Sequence, residues 1–397
     1  MSCWELAKGP TTMPERTILF LGADAEYAFK FRKGLMEAFR DRRYRVVVAA
    51  TPLGDFDTGR FASLGVEFIP WRVGKASLDP VKDLGALFAL YRILSSIQPD
   101  ILFVHTIKPV IYGGILGYAR RVPRRVAMIP GLGHAFMPPK GLRHRIAAIV
   151  ARLGYRAALG PMAVSIFHNP DDIADMRRAG ALPTGARTAR VHGSGVDMTH
   201  FRRAPLPSGP CTFLFVGRLL REKGIHEFVE AARNVRKLLP TARFIVVGGR
   251  DANPSALTDA ELDHWRSEGI VEFRGSISDP RDAFAECHIF VLPSFREGTP
   301  RTNLEAMATG RAIITTDVPG CRETVRDGVN GILVPPADPI ALAQAMIRLG
   351  TDPALVMRMG AAGYDLCRER FELGKVTAET MALIAGDPTG TPADRTH

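Results

Sequence analysis

Cysteine is scarce in this chain. Its five cysteines, at positions 3, 211, 287, 321 and 367, are widely spaced, odd in number and free of any C-x-x-C pair. That pattern excludes a disulfide framework and a zinc ribbon, and it fits a reducing, cytoplasmic compartment. No run of ~18 apolar residues occurs, so no segment reads as membrane-spanning. The longest candidate, Leu84 to Ile97, is broken by Arg92. The first 15 residues lack the apolar stretch of a signal peptide. Met13 stands just before the first strand, so residues 1–12 are expected to be a loose lead. No G-x-x-x-x-G-K-[ST], G-x-G-x-x-G or G-x-S-x-G sequence is found, which removes P-loop, dinucleotide-binding and serine-hydrolase readings. Asp55-Phe-Asp57 has a D-x-D form but lies in an early loop, and it reads as surface turn chemistry. Neither a metal site nor a cofactor is expected.

What is present is a composition of 46% hydrophobic and 23% charged residues over 397 positions. That length is too great for one ordinary core and suggests two domains, perhaps ~100–200 residues each. The net charge of +11 is uneven: residues 1–207 hold 30 Lys and Arg against 16 Asp and Glu, and residues 208–397 hold 22 against 25. A basic half beside a near-neutral half points to an anionic partner for the first domain. Nucleic acid, an anionic membrane and a phosphorylated substrate all qualify on charge. Nucleic acid fits poorly, because the arginines are scattered without a recognisable binding module or aromatic platform.

Short continuous apolar runs alternate with helix-period segments through both halves. In the first half the strands read Thr17–Leu21, Arg45–Ala50, Val66–Ile69, Ile101–His105, Val126–Ile129 and Ala163–Phe167. The alternation breaks at Pro205, Pro207, Ser208, Gly209 and Pro210, then restarts. Strands follow at Thr212–Val216, Arg243–Val247, Ile270–Phe273, Ile289–Leu292 and Ala312–Thr316, with a helix at Phe228–Leu239 and others near 339–349, 353–369 and 374–385. Continuous rather than alternating runs mean parallel strands buried on both faces. The expected architecture is α/β, with two doubly wound parallel sheets facing across a cleft. The divisions are 1–204, a linker at 205–211, and 212–372. The helix at 374–385 rejoins the first domain, and 386–397 form a loose tail.

The chemistry concentrates between Ser294 and Gly310. A buried strand ends at Pro293, a glycine-containing loop follows, and a helix starts near Pro300, where proline is favoured. The first-turn N–H groups over Arg301, Thr302, Asn303 and Leu304 would face the cleft and could bind phosphate. Glu297 in the loop and Glu305 in the helix are good acceptors for vicinal hydroxyls. Their spacing alone is weak evidence, since Glu222 and Glu230 repeat it. Its setting of strand end, loop and helix start gives the pair its weight. After the first strand of the second domain comes Gly217-Arg-Leu-Leu-Arg-Glu-Lys-Gly224. Gly217 allows a close backbone approach, and Arg218 and Lys223 could grip a diphosphate. Gly248, after the next strand, offers a further close-approach loop.

G-R-L-x-x-x-K-G at 217–224 and E-G-x-P-x-x-x-x-E-A-M-A at 297–308 together resemble the family 4 retaining glycosyltransferases of the GT-B fold. So do Gly195-Val-Asp197 with Phe201, and Gly328-x-Asn-Gly-x-Leu-Val334. The resemblance implies a nucleotide-diphosphate sugar donor, with UDP and an N-acetylhexosamine-type sugar favoured. It implies that Arg218 and Lys223 hold the diphosphate, that Glu297 contacts the transferred sugar and that Glu305 takes the ribose hydroxyls. It also implies retention of anomeric configuration, the leaving diphosphate helping to accept the acceptor's proton.

The first half resembles members that extend polyprenyl-diphosphate-linked sugars, through Ile101–Gly113, Ala127-Met-Ile-Pro-Gly-Leu-Gly133 and Phe167-His-Asn-Pro-Asp-Asp172. The implied acceptor is a glycan or lipid-linked saccharide. One departure stands out: Pro130 occupies the place where many relatives have a histidine facing the sugar. The candidate catalytic side chains are therefore Glu297, His105 at a strand end, and His134, which lies three residues past Gly131 and does not inherit that place by spacing. A hydrogen-bonded structural role is the alternative for His105. Between Lys140 and Arg156, Ile146, Ile149, Val150 and Leu153 cluster at helical spacing, flanked by Arg143, Arg145, Arg152 and Arg156. This suits either a helix lying on an anionic membrane, at the inner face of the cytoplasmic membrane, or an ordinary core-facing helix. A nucleotide-sugar epimerase or hydrolase of the same architecture is the competing enzyme class.

Overall fold

A computed structural model describes residues 16–74, 80–132, 141–249, 253 and 255–386. In the first half the strands are β1 (Thr17–Leu21), β2 (Arg45–Ala50), β3 (Glu67–Pro70), β4 (Ile101–His105), β5 (Arg124–Ile129), β6 (Val164–Phe167) and β7 (Thr188–Arg190). The helices between them are α1 (Ala25–Asp41), α2 (Pro80–Ile97), α3 (Ile107–Ala119), α4 (Leu142–Leu159) and α5 (Pro170–Arg178). The sheet order is β3-β2-β1-β4-β5-β6-β7, and every pairing is parallel. Four of the seven strands, β1, β4 and β6 along their whole length and β2 beyond Arg45, are buried, as their unbroken apolar runs require.

The second half repeats the plan. Its strands are β8 (Thr212–Val216), β9 (Arg243–Val247), β10 (Glu272–Phe273), β11 (Ile289–Leu292), β12 (Ala312–Thr316) and β13 (Gly331–Val334). Its helices are α6 (Ile225–Leu238), α7 (Asp259–Glu268), α8 (Arg281–Glu286), α9 (Arg301–Thr309), α10 (Pro339–Gly350) and α11 (Pro353–Arg370). The order β10-β9-β8-β11-β12-β13 is again wholly parallel. Strand order reverses between β1 and β4 in one sheet and between β8 and β11 in the other, and ligand crevices form at such switch points.

Residues 205–211 contain no helix or strand. The last helix, α12 (Leu373–Ala385), returns to the first half. Its Met381 and Ile384 enter the core that includes Phe20, Phe39 and Phe103. The Arg124 guanidinium donates to the Ile384 and Leu383 carbonyls at 2.6 and 2.8 Å. Two strands lay outside the sequence reading, β7 and β13, and β3 sits one residue later than Val66–Ile69.

The apolar stripe of α4 turns away from the sheet: Ile146, Ile149, Val150 and Leu153 are each more than half exposed. The core-facing alternative therefore fails for these four side chains. On α2, Val81, Leu84, Phe88 and Tyr91 form a second exposed apolar row, which the sequence reading did not single out. Gly154 packs on Ile111 and Ala158 on Gly114, so Val150 lies level with the start of α3. At 1.5 Å per residue the first two turns of α4 rise ~12 Å above that level.

Candidate functional site

The β11 strand is fully buried and runs out at Pro293. Beyond it Ser294 is buried, with its carbonyl accepting from the Thr316 hydroxyl. The next turn is pinned by backbone bonds: Phe295 N–H donates to the Glu222 carbonyl at 2.9 Å and Glu297 N–H to the Pro319 carbonyl at 3.1 Å. Glu297 is thereby aimed at Lys223, with which it forms an ion pair. The Ser294 hydroxyl donates to the same Glu297 Oε1 at 2.8 Å. Lys223 reaches this point because the short turn Arg221–Lys223 ends on Gly224, whose φ is +73°. A Cβ at Gly224 would lie 2.1 Å from the Pro293 carbonyl oxygen, so only glycine lets the two segments meet. Gly248 does the same beside Gly217, where an added Cβ would come within 1.9 Å of the Gly217 oxygen. Arg218 follows Gly217 on this edge and is exposed.

Helix α9 supplies the second carboxylate. Glu305 is 7% exposed and bonded to Arg301 Nε at 3.0 Å. Burial pushes its carboxyl up to about 7, against the opposing pull of Arg301 and Lys30. Arg301 lies over the Phe31 ring of α1, with the guanidinium carbon 5.3 Å from its centroid. Of the four N–H groups expected to be free at this helix start, those of Asn303 and Leu304 turn back to the Pro300 carbonyl, at 3.1 and 3.4 Å. The first turn closes on its own cap residue, which leaves the Arg301 and Thr302 N–H groups as the two that do not bond back to Pro300. The Leu304 side chain is core, and Asn303 Nδ2 donates to the Thr324 hydroxyl at 2.8 Å. Glu230 of the competing pair is spent on Arg233, at 2.6 Å.

Across the cleft lies a cavity of about 300 Å³, lined by Asp24, Tyr27, Thr106, Lys108, Pro130 and Tyr155 among others. His105 adjoins it without lining it. The ring is fully buried under Gly22, where a Cβ would fall 2.2 Å from Cε1. Neither ring nitrogen has a partner among the described residues, and burial together with Arg32 holds the imidazole neutral, its pKa well below the ordinary value. The hydrogen-bonded structural role is therefore not what is found, and the ring does not open on the cavity as a proton carrier there would. His134 lies outside the described residues. Pro130 meets the donor loop directly: a Cβ at Gly298 would fall 1.5 Å from its carbonyl oxygen. Asp57 caps the turn that follows it, accepting from Gly59 N–H at 2.8 Å, as the surface-turn reading expects. Ser294 and Arg296 were legible only as parts of the segment, because their partners come from other loops.

Residues 210–352 match the family model "Glycosyl transferases group 1", and residues 17–159 match "Glycosyl transferase 4-like". The chain belongs to the glycosyltransferases. Among similar proteins is the N,N'-diacetylbacillosaminyl-diphospho-undecaprenol alpha-1,3-N-acetylgalactosaminyltransferase of Campylobacter jejuni, 28% identical over 79% of this chain and 84% of that protein. Another is the UDP-Gal:alpha-D-GlcNAc-diphosphoundecaprenol alpha-1,3-galactosyltransferase of Escherichia coli, 27% identical over 72% of this chain and 75% of that protein. In fold the glycosyltransferase resembles sucrose-phosphate synthase from Thermosynechococcus elongatus, with a TM-score of 0.74 at 19% identity, covering 94% of this chain and 99% of the other. It also resembles Anabaena HepE in complex with UDP-glucose, with a TM-score of 0.72 at 18% identity, covering 92% and 99%. The fold is GT-B.

Proposed function

We propose that this glycosyltransferase moves a hexose or N-acetylhexosamine from a UDP-sugar to a polyprenyl-diphosphate-linked saccharide, with retention of configuration. The observation that carries the reading is the pairing of Glu297 with Lys223 at the β11 switch point, opposite the cavity of the first sheet. Arg218, Lys223 and the Arg301 and Thr302 N–H groups take the diphosphate, and the two glutamates take hydroxyls. Glu305 accepts from the ribose and Glu297 from the transferred sugar. The departing diphosphate accepts the acceptor's proton, and its charge is met by these cations and the helix start without a metal ion. The relatives named above carry undecaprenyl-diphosphate-linked substrates in their names, which supports the acceptor class.

The exposed apolar rows of α2 and α4 support a membrane-surface position at the inner, cytoplasmic face. They are interspersed with Arg92, Arg145 and Arg152, the pattern of a helix lying on anionic lipid. No helix among the described residues is long and apolar enough to cross a membrane.

A donor screen against a polyprenyl-diphosphate monosaccharide, read by product mass, tests the reading. A mass gain of one sugar, with UDP released only when acceptor is present, is the expected result. UDP released at the same rate without acceptor favours the hydrolase class. Loss of turnover on chelation, restored by Mg²⁺ or Mn²⁺, overturns the metal-free step.

A further inference from the structure

The turn Asn169-Pro-Asp-Asp172 at the start of α5 belongs to the first half, yet it grips the opposite half at three points. Asn169 Nδ2 donates to the Gly298 carbonyl at 2.9 Å. The Arg296 guanidinium is paired with Asp172 and, at 2.7 Å, with Asp175. Arg322 Nη1 donates to Asp171 at 3.0 Å, while its Nε donates to Asp317 at 2.7 Å. Arg296 and Gly298 are the residues on either side of Glu297. Arg322 follows Gly320, where an added Cβ would fall 2.3 Å from the Glu297 carbonyl oxygen. The grips therefore land on the Glu297 loop and on the segment beneath it.

From this geometry we infer that Asn169, Asp171 and Asp172 are positioning residues, which hold the Arg296–Gly298 segment in register and so set Glu297 against the acceptor cavity. The inference rests on the donor-site reading of Glu297 given above. Asp172 has no exposed side-chain surface. Its carboxylate is met by Arg296 and by Asn169 Nδ2 at 3.1 Å, against the like charge of Asp175. Withdrawing Arg296 leaves a buried carboxylate uncompensated, which is strongly unfavourable. The latch is tight where Gly298 abuts Pro130, since two backbones touch there with no side chain between them. The proposed nucleotide site, in contrast, uses Lys223, Arg301 and Glu305 of the second half, where only Arg301 touches the first half, at Phe31 and the Lys30 carbonyl, away from the α5 turn. Breaking the latch should therefore spare nucleotide binding and harm transfer.

Two variants and a rescue test this in the full-length protein. Asp172→Asn removes the buried charge at constant size. Arg322→Asp opposes Asp171 at a pair that is about one-third exposed on each side, and Arg322→Asp with Asp171→Arg restores it with the charges exchanged. Small-angle scattering without ligand, UDP titration by calorimetry, and kcat and KM of transfer are measured for each. The expected result is a larger radius of gyration, a UDP Kd within about twofold of wild type, and a kcat lower by about tenfold to a hundredfold, the scale of a displaced catalytic group. The exchanged pair recovers most of the Arg322→Asp loss. Unchanged scattering with unchanged kcat overturns the inference, as does a loss of UDP affinity parallel to the loss of kcat, or no recovery in the exchanged pair. Should Asp172→Asn fail to fold, the Arg322 series decides alone. The scattering arm needs no substrate, so it separates failure of the latch from failure of the donor assignment.

Discussion

The two edges that face each other across the cleft solve opposite problems. On the second sheet, most groups proposed to meet the donor already satisfy one another, Lys223 and Ser294 with Glu297 and Arg301 with Glu305, though the Thr299 hydroxyl and Asn303 Oδ1 lack a partner among the described residues. On the first sheet, the Thr106 hydroxyl lines the cavity and lacks a partner among the described residues, as do both nitrogens of His105 and Nε2 of His168, which do not line it. A self-satisfied edge is rigid before its ligand arrives, as catalysis by fixed dipoles requires. An unsatisfied edge awaits water or a ligand to complete it. On the proposed reading the donor side is largely held in place before its ligand arrives, while Thr106 on the acceptor side is left for what binds there.

The largest effect should come from the donor edge. Glu297→Ala is expected to lower turnover by about a thousandfold, the upper range for one electrostatic group, with a near-normal melting temperature. Wild-type turnover in that variant would remove the contrast between the edges altogether. Next comes the seam. Gly298→Ala places a Cβ against the Pro130 carbonyl and should cost about a hundredfold in kcat. Gly131→Ala, whose added Cβ would sit at an ordinary 3.5 Å from Gly298, should stay within about threefold. Equal losses in the two would show that the seam is soft.

A smaller effect belongs to Glu305. Its carboxyl is raised to about 7, mainly by burial. With Glu305 holding the ribose in its proton-free form, as proposed, UDP affinity should rise about tenfold from pH 6 to pH 8. The sign for folding is opposite: stability from this group is full below the ordinary 4.5 and is lost as pH rises through about 7. Calorimetry of Glu305→Gln should show a flat profile over this range. An unchanged slope would assign the titration elsewhere. The smallest effect on turnover is expected from Ile149→Ser with Leu153→Ser. A water-soluble acceptor should be used within about twofold of wild type, while flotation with anionic vesicles is lost. Equal binding of the wild type to neutral and anionic vesicles at low salt would sink the membrane position.

The sequence exposed the elements that are buried along all, or all but the first residue, of their length. Thr17–Leu21, Arg45–Ala50, Ile101–His105, Thr212–Val216, Arg243–Val247, Ile289–Leu292 and Ala312–Thr316 stand where their apolar runs place them. β7 is three residues, Thr-Ala-Arg, only part-buried, and no apolar run marks it. β13 starts on a glycine within a short segment, and only the family resemblance touched it. The proposed donor residues were visible because they lie in two short segments, 217–224 and 294–310, each following a strand end. The latch was not, because Asn169 and Gly298 are 129 positions apart and Asp171 and Arg322 are 151 apart. His105 carried the right residue type at the right strand end. Only the packing of Gly22 over its ring shows that it does not open on the cavity.

On the proposed donor assignment, the Lys223–Glu297 ion pair makes donor arrival an exchange of partners. The diphosphate would draw the ammonium, and the carboxylate it leaves would turn to a sugar hydroxyl. No lone cation waits there to shed counterions, so added salt should weaken binding at this lysine less than it would at an unpaired one. Affinity drawn from exchange is modest by construction, which suits a site that must release its spent nucleotide after every transfer.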